Sequence, residues 1–552
     1  MSKAKKIILS IVLGTVISGI AFYVTLPAIN IHNAGFWAFL TFAILSYSIP
    51  FLFTKKNVRQ KGTNNRPGVV KMSWDFKPNK ILIAVILLPV VFSLIGGIIS
   101  SEIFNAKAYA SVIDVTEAVF KDDMKETDEV TNIALMDSAS AQAIGNRTLG
   151  ALSDVVSQYE VGERYTQINY RGTPKKVANL EYADFFKWFM NRENGVPGYV
   201  MVDPVGSKAE YVKLDKPLKY VDSGFFGDDL VRKLRFDYPT KIFDFISFEI
   251  DENGKPYYIV SCLTANVFPF GAMDVNEVII FDPCTGESQL YAVGEVPSWV
   301  DAVFSGDLAE QKYNWHGMLS GGYINSIIGN KNCKQTTEDY GYIVIGDDVW
   351  YFTGVTSVTS DESNIGFIIS NARTGEYKYY PVVGAEEYSA MSAAEGEVQE
   401  KNYEASFPSL INVSGEATYI MVLKSQSGIV ELYALVNVEN YSIVATGKTQ
   451  AAAMKEYKKL LAENGVTDGS QNTGDVLYAG ITVVSIRDVV IDGNTVIYLK
   501  GNDGYVYRFD LSENEEYILI DEGDTISVIY VLNENTSNIR TAVSFEELII
   551  EE

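Results

Sequence analysis

The chain has 552 residues, with 45 Lys+Arg against 70 Asp+Glu and a formal net charge of −25. Hydrophobic residues make up 47% and aromatic residues 12%, enough for several packed cores and unlike a disordered chain. Two histidines and three cysteines are too few and too scattered for a His/Cys zinc cluster, and the acidity disfavours a nucleic-acid partner.

The charge is divided along the chain. The first hundred residues hold 11 Lys/Arg and a single acid, Asp75, for +10, and the remaining 452 carry −35. The basic head contains three apolar runs without a charged side chain, Ile7–Ile29, Ala34–Thr54 and Ile81–Ser100. A helix of about 20 residues covers a hydrocarbon core of ~30 Å. The first run is longer than a signal-peptide core, lacks an Ala-x-Ala site and is followed at once by a second span, so it reads as a retained helix. Lys3, Lys5 and Lys6, and the eight cations of Lys55–Lys80, place the N-terminus and that link in the cytoplasm. Asn30–Asn33 is then an outer turn, and everything after about Glu102 is extracytoplasmic. Ser10, Gly14 and Ser18 recur every four residues, a spacing that suits close packing against the other spans or, alternatively, a homo-oligomer. The absence of ionisable residues in the spans argues against a transporter or pump.

The body is too long for one ordinary core. We divide the chain into a transmembrane domain (1–104), a juxtamembrane α/β segment (105–174), a repeated α+β region (175–465) and a small β-barrel (466–552). Cys262, Cys284 and Cys333 do not staple a domain of this size and are expected to be buried and unpaired, although one pair has the option of bridging. His32 falls in the outer turn, and His316, in Tyr-Asn-Trp-His-Gly, is expected to be structural or on the surface.

One pattern recurs: an apolar strand, a turn and an aromatic-rich strand. The copies run Gly198–Val212, Val278–Tyr291, Gly366–Tyr380 and, more weakly, Tyr433–Val444. Turns such as Asp282-Pro-Cys-Thr-Gly-Glu287 supply a fixed φ and a positive φ between β-rich runs, the signature of hairpins. Further strands are expected at Pro256–Leu263, Tyr342–Phe352 and Thr418–Leu423, and helices at Ala183–Asn191, Pro297–Phe304, Ala385–Ala394 and Thr449–Glu463. A helix with a small antiparallel sheet, repeated with these turns, resembles the PepSY type of module over about Lys175–Gly465. The chain as a whole resembles Gram-positive membrane-anchored envelope proteins of no established activity. The resemblance implies extracytoplasmic, protein-binding or inhibitory units. The first copy has Val205-Gly206-Ser207 in place of Thr-Gly-Glu and the fourth lacks the glycine, so no functional residue is carried over.

Asn464–Asp475 reads as a linker. Beyond it, short strands are expected at Gly480–Ile486, Val496–Leu499, Tyr505–Phe509, Tyr517–Ile520, Ile526–Leu532 and Ile539–Val543, punctuated by Asp492-Gly493-Asn494 and Asn502-Asp503-Gly504. Such spacing suggests an OB-like or SH3-like barrel. Its only cations, Arg487, Lys500, Arg508 and Arg540, are outnumbered by acids, which argues against nucleic acid.

Two constellations merit a chemical reading. Thr353–Asn364, with Thr356, Ser357, Thr359, Ser360, Asp361 and Glu362, is either a cation- or glycan-binding loop or an alternating strand followed by a turn. Glu386, Glu387, Glu395, Glu397 and Glu400 are either an acidic surface helix or a source of the paired carboxylates of a glycoside hydrolase. Ser320 is not in a Gly-x-Ser-x-Gly elbow, because Met318 stands where the first glycine belongs. The expectation is a non-enzymatic, multi-pass protein of the bacterial cytoplasmic membrane, without a cofactor, presenting an acidic extracytoplasmic domain to a protein or cell-wall polymer. The alternative is a carboxylate-based wall hydrolase or transferase. A sensor with Lys55–Lys80 as its output is disfavoured by the shortness of that link.

Overall fold

The computed structural model describes residues 3–59, 70–76, 80–127, 135–136, 138–205, 208–337, 339–358, 360–426, 428, 430–466, 477–491, 494–511, 515–531 and 539–547. The chain forms two compact units, Met1–Leu460 and Leu461–Glu552. The linker read at Asn464–Asp475 falls largely outside the described residues, as do Gly206 and Ser207 of the first turn and Asp492-Gly493 of the barrel.

The first unit begins with three helices, Lys3–Thr25, Ala34–Leu52 and Lys80–Ile99, long and apolar enough to cross a membrane. Their outward side chains, such as Ile8, Leu88 and Ile98, are exposed in a way a water-soluble bundle would not allow. Pro50 and Pro89 lie within the second and third helices. The second helix stops at Leu52, where the chain turns into a strand, Phe53–Arg59, paired antiparallel with Val70–Phe76. The Lys55–Lys80 link thus contains a hairpin.

Four sheets follow. The first is ordered Tyr159–Val161, Thr173–Tyr182, Val196–Asp203, Lys208–Leu218, with Thr166–Tyr170 also pairing with Thr173–Tyr182. It starts within what the sequence suggested was a juxtamembrane segment. The second is a meander of Ile242–Ile250, Pro256–Val267, Gly271–Phe281 and Ser288–Ala292. In the third, Lys334–Thr336 and Gly341–Ile345 both pair with Asp348–Ser357, followed by Ser360–Asn371, Tyr377–Tyr380 and, in parallel, Val115–Glu117. In the fourth, Glu404–Ala405 and Ser409–Val413 both pair with Glu416–Lys424, followed by Val430–Asn437 and Val444–Gly447.

Each of the four hairpins read from the sequence joins the last two antiparallel strands of one sheet. In the second sheet Asp282 Oδ1 accepts from the N–H of Cys284 (2.8 Å) and Thr285 (3.1 Å), and the Gly286 N–H returns to the Asp282 carbonyl (2.8 Å). In the third, Asn371 Oδ1 accepts from Arg373 and Thr374 (both 2.9 Å), and the Gly375 N–H returns to Asn371 (2.9 Å). Gly286 and Gly375 have φ of 79° and 73°, which is why glycine stands there. The variant copies keep the side-chain cap: Asp203 Oδ1 accepts from Val205 (3.0 Å) and Asn437 Oδ1 from Asn440 (2.7 Å).

The sheets share cores in pairs. Tyr199, Leu180, Phe248 and Phe281 join the first and second, and Phe352, Phe367, Tyr419 and Met421 the third and fourth. Phe367 meets Tyr419 edge to face at 5.8 Å. Helices form at Phe185–Asn191, Glu387–Glu397 and Gln450–Glu463, close to expectation. Pro297–Phe304 is not a helix. The N–H groups of Asp301 and Ala302 are bound by the Glu249 carboxylate and those of Val303 and Phe304 by the Ala372 carbonyl, so the backbone is satisfied without helical bonds. The helix starts later, at Gly306–Leu319, capped by the Ser305 hydroxyl. Tyr342–Phe352 is two strands rather than one, turned at Gly346 with φ of 65°.

The second unit is a closed barrel in the order Leu477–Ile491, Asn494–Gly501, Val506–Asp510, Ile539–Glu547, Thr525–Val531, with the third and fifth strands in sequence running parallel. The expected strand Tyr517–Ile520 lies instead in a 3₁₀ turn, Glu515–Leu519. Tyr517 and Ile520 plug the barrel, Tyr517 at 4.9 Å from Phe509, while Ile518 and Leu519 face out. An apolar run that packs into a barrel core from a turn is not distinguishable from a short strand by composition alone.

Candidate functional site

The residues singled out on the first membrane helix meet the second. The Ser10 hydroxyl donates to the Tyr47 carbonyl, and a Cβ on Gly14 would strike the Tyr47 ring. Thr15 Oγ1 lies 2.9 Å from the Tyr47 hydroxyl, while the buried Ser18 Oγ has no partner among the described residues. This face packs within the chain.

The Thr353–Asn364 segment is a hairpin rather than an open loop. Thr353 and Thr356 are buried on Asp348–Ser357, Ser357 ends that strand, and Asn364 faces Thr356 across the ladder. Thr359 lies outside the described residues. Ser360, Asp361 and Glu362 begin the next strand, with side chains that are likewise not described.

Behind this hairpin sits one of the carboxylates that the sequence left between an acidic surface helix and a catalytic pair. Glu387, in the first turn of Glu387–Glu397, is fully buried. Its Oε1 accepts from the Gly354 N–H (2.6 Å) and its Oε2 from the Thr337 hydroxyl (3.0 Å). Burial pushes its pKa up to about 7, against those hydrogen bonds. A Cβ on Gly354 would come within 2.8 Å of Oε2, so glycine is needed there for close approach. Glu386 instead caps its helix through the Ser389 N–H (3.0 Å), and Glu395 accepts from Ala405 (2.9 Å).

A second sealed site, here a pair of carboxyls, joins the first two sheets. Glu249 accepts from Asp301 N–H (2.8 Å), Ala302 N–H (3.0 Å) and Ser247 Oγ (2.9 Å), while Asp301 accepts from Asn169 N–H (2.7 Å). Burial raises both, and the charge of Glu249 raises Asp301 further.

An accessible site is built differently. A groove of about 240 Å³ lies where the strand Gly341–Ile345 of the third sheet faces Ser409–Val413 of the fourth. Its walls are the consecutive residues Tyr342–Gly346 and Ser409–Asn412, so strand edges line it as well as side chains. Its floor holds an extended segment of the chain itself. Thr127 N–H donates to the Asn412 carbonyl (2.8 Å), Asn412 Nδ2 donates to the Met124 carbonyl (2.7 Å), and Glu126 bridges Asn412 in parallel. Asn412 is 4% exposed, and its Oδ1 has no hydrogen-bond partner among the described residues. Nothing in the local sequence marked this groove, because its two walls come from different sheets.

Other candidates are engaged structurally. His32 Nδ1 lies 2.8 Å from the Pro269 carbonyl and His316 Nδ1 2.9 Å from that of Ala110. Cys262, Cys284 and Cys333 are unpaired, and burial pushes the first two thiols up to about 12 and about 11. Ser320 caps its helix by donating to the His316 carbonyl. Arg540 stacks on Tyr505 and Tyr530, at 3.4 and 4.4 Å from their ring centroids, and donates to the Tyr507 hydroxyl (2.9 Å). Among the described residues no three His, Cys, Asp or Glu side chains group as a metal site. No protein-family model matches the chain, and no curated protein is significantly similar to it.

Proposed function

We propose that this chain is a non-enzymatic bacterial envelope protein, anchored by three membrane helices, whose extracytoplasmic body binds an extended segment of a partner protein. The observation that carries this reading is the groove between two strand edges. There the Ser409–Val413 edge already accepts an extended segment, and the buried side-chain Oδ1 of Asn412 is left without a partner among the described residues. Strand addition uses main-chain hydrogen bonds for affinity and alternate side-chain pockets for specificity. Glu249, Asp301 and Glu387, three of the carboxyl groups that burial raises, bind backbone N–H groups in the interior, which ties them to structural roles.

The cation-rich N-terminus and Lys55–Lys80 link support a cytoplasmic position for both, with the body outside. Four sheets with the same capped hairpin support a repeated, PepSY-like unit. The barrel order, with the third and fifth strands parallel, favours an OB-like over an SH3-like module.

A photo-crosslinking amino acid at Val344, in whole cells, tests the binding reading. A discrete crosslinked protein, lost when Asn412→Arg blocks the groove, is expected. Labelling of wall polymer alone, or turnover of purified wall polymer abolished by Glu387→Gln, would overturn it. Protease added outside sealed cells is expected to remove the body; protection would reverse the topology.

A further inference from the structure

The first unit carries exposed apolar side chains at the level where its membrane helices end. Phe236, on the helix Leu230–Asp237, packs edge to face on Phe22 of the first membrane helix at 5.8 Å and lies 6.4 Å from Tyr23. Phe22 is three residues before the end of that helix at Thr25, so Phe236 reaches ~5 Å below its last residue, at 1.5 Å per residue. Four residues back on the same helix, the Arg232 guanidinium covers the Tyr23 ring at 4.4 Å, and its Nη1 donates to the Phe226 carbonyl (2.8 Å).

From Phe226 the aromatic surface continues into the short helix Phe185–Asn191. Phe226 lies 5.8 Å from Trp188, and Phe225 4.9 Å from Phe185. Phe186 is 71% exposed, Met190 65%, Phe226 58% and Phe189 52%. The Arg192 guanidinium lies over Phe189 at 4.6 Å, putting a cation at the rim of the aromatic surface. Aromatic side chains bordered by cations are what a lipid headgroup region accommodates. A contiguous apolar patch of this kind is costly in water and marks an interaction surface.

A second patch adjoins the end of the third membrane helix. Ile103 and Phe104 follow its exit directly and are exposed. Glu102 lines the same open groove, of about 550 Å³, as Ile327, and Ile327 and Ile328 are exposed beside it.

We propose that the body does not stand clear of the membrane but lies on it, with Phe186, Phe189 and Phe226 in one patch and Ile327 and Ile328 in the other inserted into the outer leaflet. The occupant is phospholipid, because each patch is continuous with a helix end that already sits in the membrane. This inference rests on the membrane-anchored reading.

The test uses the full chain with Cys284→Ser, leaving the buried Cys262 and Cys333 in place, reconstituted in phosphatidylethanolamine/phosphatidylglycerol vesicles. Single cysteines at Phe186, Ile328, Tyr441 and Leu88 carry a nitroxide, and collisions with oxygen and with a water-soluble nickel chelate are compared. All four positions are exposed in the structure, so the label displaces no core. Oxygen collisions are expected to exceed nickel collisions several-fold at Phe186→Cys and Ile328→Cys, as at the membrane-helix control Leu88→Cys, with the reverse at Tyr441→Cys. Nickel access at both patch positions, or protection from both reagents by another protein, overturns the proposal. Nickel access at Leu88→Cys would overturn the anchoring reading instead.

Discussion

Glu387→Gln tests the electrostatics of the core between the third and fourth sheets. The wild-type carboxyl has no exposed surface and is moved by burial from 4.5 to about 7 in the folded chain. The folded state therefore keeps its proton to higher pH than the unfolded state does. Stability is complete below the unfolded value and falls as pH rises toward the folded value, because a charge must then be held in the interior. At ~1.4 kcal/mol for each pH unit between the two values, the loss by about pH 8 is roughly 3 kcal/mol. Glutamine stays neutral and keeps a carbonyl for the Gly354 N–H, so the variant lacks this decline. The assay is denaturant unfolding of the full chain in nanodiscs from about pH 5 to pH 8, with amide exchange in Asp348–Ser357 as the local readout. The Glu249 and Asp301 pair is common to both proteins and cancels in the difference. We expect similar stability at the acid end and a variant more stable by about 3 kcal/mol at the alkaline end. Parallel profiles would refute the reasoning.

Gly96→Val should dislodge the hairpin tip at Phe268–Phe270, since a Cβ there would lie 2.7 Å from Pro269 Cγ and 2.8 Å from a Phe270 ring carbon. The strain should amount to about 1–3 kcal/mol and appear as faster limited proteolysis at the tip. Gly97→Val, which opens onto empty space, should leave it unchanged. Phe367→Ala, deleting a fully buried ring between two sheets, should cost about 3–5 kcal/mol, measured by unfolding. With its thiol pushed up to about 11, Cys284 should alkylate with iodoacetamide at pH 8 roughly a hundredfold more slowly than a thiol of ordinary pKa. Rapid labelling would show that burial does not hold the Cys284 thiol protonated.

The parts legible in the sequence were those in which neighbouring residues carry the whole cause. The three spans are written as uninterrupted apolar runs. The hairpins are written as an Asp or Asn whose side chain caps one or both of the amides two and three residues on, with a glycine at a left-handed position in the second and third copies. What was not legible depends on contacts between distant segments. Glu387 reads as one acid among several until Gly354 and Thr337, 33 and 50 residues earlier, close over it. Pro297–Phe304 reads as a helix until Glu249, 52 and 53 residues earlier, satisfies its amides. The candidate groove is likewise invisible in either wall taken alone, because strand edges acquire meaning only when two sheets are brought side by side.

The contact between the hairpin tip and the membrane helices sets the mechanics of the whole first unit. Gly96 meets Pro269 and Phe270, His32 meets the Pro269 carbonyl, Ile29 N–H donates to Pro239 (2.7 Å), and Arg235 Nε donates to Leu26 (3.0 Å). A domain on a single flexible stalk sweeps a hemisphere, and its binding site visits any one height only part of the time. A domain fixed both at the turn that follows the first helix and at the third helix works as a bracket. On the proposed binding reading, its groove would stay at one distance from the bilayer, and the local concentration of a membrane-bound partner would be set by the partner's reach rather than by the stalk's. Partners whose extended segment is too short for that distance would then be excluded by geometry before any side chain is read.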